Sequence, residues 1–137
     1  MIAKVISIPE FITEKTFLEY MRTSHNLNGI KFNKSNFHKI GEIMSEMEDY
    51  AFKWSDYQSV TSRILRSFGK GSPDFLVYNK KHFMLCEFKT KNDPLSPTQI
   101  FWFDSHSDLP LGIIIAGNPD YVQEKENLDE DDKSIIA

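Results

Sequence analysis

The chain has 137 residues, with 16 Lys+Arg against 20 Asp+Glu, a formal charge of −4, 40% hydrophobic residues and one cysteine. That length supports one compact domain, able to bury roughly two thirds of its unfolded surface without disulfides or a structural metal. The lone Cys86 excludes an internal disulfide framework and fits a reducing, intracellular setting. No apolar run approaches the ~20 residues that span a bilayer, and the stretch from Met1 to Ile6 lacks the features of a signal peptide.

In chain order, the first predicted element is a short helix from Thr13, as N-cap, to Met21. The Asn-, Lys- and Ser-rich stretch His25–Asn36 reads as a loop. Phe37, Ile40, Met44, Met47 and Ala51 step by three or four, which predicts a second helix from Phe37 to Lys53. Alternation of Val60, Ser62 and Ile64 predicts a strand over Ser59–Ser67. Gly69 and Gly71 punctuate the chain before Pro73. Two apolar runs, Asp74–Tyr78 and His82–Phe88, then predict a β-hairpin around Asn79-Lys80-Lys81. A helix from Ser96 to Ser107, a wholly apolar strand Leu111–Ala116 and a last helix opened by Asn118-Pro119 complete the order. The expected architecture is a single α/β domain over residues 1–123, a mixed central sheet of about four strands flanked by helices. Residues 124–137 form an acidic tail whose first ten residues carry six acids and two lysines, leaving the rest of the chain neutral.

The chemistry concentrates on the hairpin. Glu87 and Lys89 are two apart on a strand and so share a face with Phe83 and Leu85, while Met84, Cys86 and Phe88 occupy the other. With a two-residue turn at Lys80-Lys81, Asn79 pairs with His82 and Asp74 falls directly opposite Glu87, Cβ atoms ~4.5–5.5 Å apart. With the turn one residue earlier, Asp74 becomes a diagonal neighbour on the same face. Two carboxylates at that separation repel unless a positive charge lies between them. A hard divalent cation such as Mg²⁺, bound by carboxylates and completed by water and phosphate oxygens, meets that need. With Lys89 beside it, the implied chemistry is metal-assisted phosphodiester hydrolysis.

Pro73-Asp74, a gap of twelve residues and then Glu87-x-Lys89 resembles the signature of the PD-(D/E)xK nuclease superfamily. The Gly71-x-Pro73-Asp74 lead-in and the downstream Gln99 resemble its VRR-NUC and Holliday-junction-resolvase-like branches, over roughly Glu42 to Ala116. The resemblance implies a restriction-endonuclease-like domain that cuts DNA, branched or flapped DNA included, with Mg²⁺ or Mn²⁺ as cofactor. It implies Asp74 and Glu87 as metal ligands, Lys89 as catalytic lysine and Gln99 as the supporting glutamine. An acid on the first core helix is also implied; Glu42, Glu46 and Glu48 compete, with Glu46 favoured. Branched-DNA enzymes of this kind work as two-fold dimers, which suggests a homodimer. The competing reading is a nuclease-fold module that binds nucleic acid or a protein without cutting.

Gln99 has a structural role available too, since Ser96-Pro97-Thr98-Gln99 is a capping box. Arg63, Arg66, Lys70 and Lys91 cluster in sequence around the acidic centre and are candidate DNA-phosphate contacts. Of Phe101, Trp102 and Phe103, not all can face a core, and an exposed Trp102 near the site would offer a surface for base stacking. The four histidines share no zinc-ligand spacing, and Cys86 reads as a buried apolar residue.

Overall fold

A computed structural model of the protein describes residues 3–51 and 55–117, and the side chains within them except those of 48–59. The tail from 124 and the helix expected at Asn118 lie outside the described residues. The elements run β1 (Lys4–Ile8), α1 (Phe17–His25), β2 (Asn28–Lys31), α2 (Phe37–Ala51), α3 (Ser55–Leu65), β3 (Phe75–Tyr78), β4 (Phe83–Thr90), α4 (Pro97–Ser105) and β5 (Leu111–Ala116). One mixed sheet of five strands is ordered β1-β5-β4-β3-β2. β2, β3 and β4 pair antiparallel, whereas β5 is parallel to β4 and to β1. The β4–α4–β5 segment supplies the crossover that a parallel pair needs.

The hairpin follows the two-residue turn. Tyr78 pairs with Phe83 and Phe75 with Cys86, and the Asn79 amide donates to the His82 carbonyl at 2.9 Å. Asn79 Oδ1 closes the turn by accepting from the Lys81 and His82 amides, both at 2.8 Å. A polar side chain doing a backbone's work is why this turn keeps its length. β5 is buried almost throughout, as its apolar sequence requires.

Four sequence expectations are corrected. The predicted strand Ser59–Ser67 is instead helix α3. Among its described side chains Thr61 and Ile64 are buried, three apart, and Ser67 just past its end continues the spacing, so helical periodicity overrode β-branched composition. Lys4–Ile8, left without an element by the sequence reading, is an edge strand, and the expected loop His25–Asn36 contains β2. The first helix begins at Phe17 with Thr16 as N-cap, and Thr13 bonds to Thr16 one turn earlier.

Apolar clusters cover both faces of the sheet. Ile40, Met44 and Met47 of α2, Ile64 of α3, and Trp102 and Phe103 of α4 pack over Leu76 and Leu85. On the opposite face Phe17 and Met21 of α1 pack over Phe75, Val77 and Cys86, with the Phe17 and Phe75 rings 5.0 Å apart. β4 outruns β3: Glu87 to Lys89 pair with β5 alone. The end of β4 therefore borders a notch where β3 begins.

The loop entering β3 is fixed by Gly71, at φ 82°. A Cβ there would lie 2.4 Å from the Thr98 carbonyl oxygen, because the loop is pressed against the first turn of α4. Gly71→Ala combines a left-handed backbone, which costs roughly 1–2 kcal/mol, with a clash against backbone rather than a flexible side chain. The expected result in chemical denaturation is a loss of about 2 kcal/mol or more of stability; an unchanged midpoint would contradict this packing.

Candidate active site

Asp74, Glu87, Lys89 and Gln99 converge on the notch, where they line an open cleft of about 460 Å³. The last pair of the hairpin is Phe75 with Cys86, so Asp74, one residue before β3, comes beside Glu87, one residue further along β4. Asp74 is held at both ends of the residue: its carbonyl accepts from the Phe32 amide at 2.8 Å, and Oδ2 accepts from the Phe88 amide at 3.0 Å. Those two bonds tie β2, β3 and β4 together at the carboxylate.

Glu87 is only 2% exposed. Gln99 meets it from α4, where both readings of that residue hold at once. Gln99 Oε1 accepts from the Ser96 amide at 2.9 Å and its own amide donates to Ser96 Oγ at 3.2 Å, completing the capping box. Its Nε2 donates to Glu87 Oε2 at 2.6 Å. The other carboxyl oxygen of Glu87, Oε1, is buried with no hydrogen-bond partner among the described residues. A buried carboxyl with an unsatisfied oxygen is costly unless it holds a proton or meets a cation. Burial, then the adjoining Asp74, pushes the Glu87 pKa up to about 9, against the pull of Lys89. Lys89 is nearly buried, its ammonium 3.7 Å from Asp93.

Glu14, not among the acids expected from the sequence, precedes α1 and lines the same cleft; its pKa is raised by partial burial first and then by the nearby Asp74. The favoured upstream acid, Glu46, lies elsewhere: it shares a separate cleft with Tyr78, Asn79 and Lys80 at the turn end of the hairpin. Its charge and, first, burial raise the Tyr78 pKa. Glu42 is exposed on α2, and the Glu48 side chain lies outside the described residues. With β2 present, the helix that leads into the antiparallel strands is α1, and Glu14 stands just ahead of it.

The expected basic contacts separate as well. Arg63 forms a bidentate pair with Asp108 at 2.6 and 2.8 Å and donates to the Ser105 carbonyl at 2.9 Å. Its guanidinium ties α3 to the loop before β5. Arg66 is exposed, with Nε donating to the Ser62 carbonyl of its own helix at 3.3 Å. Lys70 is exposed in the glycine loop. Lys91 lies 3.6 Å from Glu10 on the rim of the cleft. Trp102 is buried and donates to the Ser67 carbonyl at 2.8 Å; the exposed ring on α4 is Phe101. Cys86 is buried, and burial first of all pushes its thiol pKa up, so it remains protonated.

A mixed sheet with one acid on a strand, another just ahead of the neighbouring strand, an amine two residues on and a helix-borne glutamine defines a nuclease-type domain. The family model described as the VRR-NUC domain matches residues 31–111, more than half of the chain. The chain belongs to the VRR-NUC domain family. No curated protein matches it. No helix among the described residues is long and apolar enough to cross a membrane.

The raised Glu87 pKa makes a signed prediction. Its folded value, about 9, exceeds the ordinary 4.5, so the folded state holds a proton that the unfolded chain has released. That contribution is complete below the lower value and is lost as pH climbs toward the upper one, at up to about 1.4 kcal/mol per pH unit. Without metal, Glu87→Gln should melt higher than the parent near pH 8, by a margin that shrinks toward about pH 5. A margin that does not vary with pH would refute the protonated Glu87.

Proposed function

We propose that the protein is a divalent-metal-dependent endonuclease that hydrolyses phosphodiester bonds in DNA. The observation that carries this reading is the buried Glu87 carboxyl, one oxygen held by Gln99 and the other without a partner, beside Asp74 and Lys89. Oxygen donors of this type suit Mg²⁺ or Mn²⁺. Asp74, Glu87 and Glu14 would hold the ion, which supplies Lewis acidity at the phosphoryl oxygen and lowers the pKa of a bound water.

The remaining work falls to the protein's own groups. Gln99 fixes the Glu87 carboxylate so that its free oxygen stays directed toward the ion. Lys89 orients the attacking water and offsets charge that accumulates on the phosphate. Asp93, at 3.7 Å, restrains the lysine. Glu87 must release its proton before it can serve as a ligand, so metal affinity should climb with pH. The family resemblance adds a preference for flap or four-way-junction DNA and a two-fold dimer. Retention of the full Asp/Glu/Lys/Gln set favours an enzyme over a binding module, since a module has no use for a buried carboxyl with an open oxygen.

Labelled single-stranded, duplex, flap and four-way DNA, incubated with Mg²⁺ or Mn²⁺, test the reading directly. Asp74→Ala and Lys89→Ala should each lower cleavage by at least roughly a hundredfold; no cleavage by the parent, or equal cleavage by the variants, rejects it. Thermal stabilisation by Mn²⁺ separates the two upstream acids. Glu14→Ala should raise the Mn²⁺ concentration for half-maximal stabilisation by roughly tenfold. Glu46→Ala should leave it unchanged, and the reverse pattern would restore Glu46 to the site.

A further inference from the structure

Beside the carboxylate cleft lies a larger groove of about 600 Å³ that shares Glu14 and Asp74 with it. Lys15, Lys31, Asn33 and Ser72 supply the groove's other polar lining. Both lysines are exposed, and each stands close to an acid. Lys15 follows Glu14 directly. Lys31 ends β2 and pairs with Phe75, the residue after Asp74. Lys31 is near enough to Glu14 to oppose the rise that burial and Asp74 impose on its pKa.

The charge balance then depends on the ion. Lys89 and Lys91 face Asp93 and Glu10 at 3.7 and 3.6 Å. That sets Lys15 and Lys31 against Glu14 and Asp74 in the groove's own lining, so the ion-free groove carries no surplus positive charge. A divalent ion on the neighbouring carboxylates gives it one and leaves the groove attractive to an anion.

We propose that this groove seats the backbone of the DNA strand being cut, with Lys15 and Lys31 each contacting a different phosphate close to the scissile one. The proposal rests on the nuclease reading of the neighbouring cleft and extends it to the course of the strand. Such contacts carry no sequence information; they fix register and make affinity depend on salt.

The test is binding, measured apart from turnover. Fluorescence anisotropy follows labelled single-stranded and duplex DNA over a range of salt, with Ca²⁺ filling the site and gels confirming that the DNA stays intact. The Lys15→Ala/Lys31→Ala protein should show a log–log salt slope shallower by ~1.4 for single strands or ~1.8 for duplex. Its low-salt affinity should fall roughly tenfold, and the difference should shrink when Ca²⁺ is omitted. The Lys39→Ala/Lys81→Ala protein removes equal charge from α2 and the hairpin turn and should keep the parental slope. A Lys15→Ala/Lys31→Ala slope equal to the parent's, or an equal drop in the control, overturns the proposal. Binding with the expected slopes but no cleavage by the parent would uphold the groove and reject the nuclease reading. Cleavage with slopes unmoved by the lysine variant would do the opposite.

Discussion

The structure turns on a carboxyl group placed where an apolar residue would be cheaper. Glu87 sits in the middle strand of the sheet, 2% exposed, in a row that otherwise reads Phe83 and Leu85. Burying an ionised carboxylate costs several kcal/mol unless neighbours compensate. Here the compensation is partial: one amide bond from Gln99, a nearby ammonium, and a proton held well above the ordinary range. The remaining oxygen is unsatisfied. A fold that keeps such a group without completing its shell is arranged for something that arrives from outside, and a hard cation is the simplest completion.

Everything around Glu87 serves to hold that geometry. Asn79 fixes the length of the hairpin turn and hence the register that brings Asp74 beside Glu87. Gly71 lets the entry loop press onto α4, so the strand carrying Asp74 and the helix carrying Gln99 are docked as one unit. The capping box spends Gln99 Oε1 on the helix start and leaves Nε2 for the carboxylate. Stability and site share the same few contacts, so local changes at these positions should disturb both.

The hairpin, its register and the capped helix were legible in the sequence because each is a local code. Turn residues, period-two alternation and a Ser-Pro-x-Gln string need no knowledge of the rest of the chain. The acid before α1 was not legible in that way. Glu14 reaches Asp74 only because β2, a four-residue strand of Asn, Gly, Ile and Lys, pairs with β3, and nothing in that composition announces a strand. Without β2, α2 reads as the first core helix, and the acids in view are then Glu42, Glu46 and Glu48 rather than Glu14. The helix α3 was misread for the opposite reason: a chance alternation of Val60, Ser62 and Ile64 outweighed the spacing of Thr61, Ile64 and Ser67. Arg63 illustrates a third limit, since a basic residue next to an acidic motif in sequence can be engaged by a carboxylate 45 positions away.

The account reduces to a proton exchanged for a metal ion at Glu87. Calorimetric titration of the protein with Mn²⁺ near pH 7, repeated in buffers of different ionisation enthalpy, counts the protons released on binding. Release of about one proton per ion, abolished in Glu87→Gln, is the predicted result. Binding that releases none, or no binding at all, would contradict it.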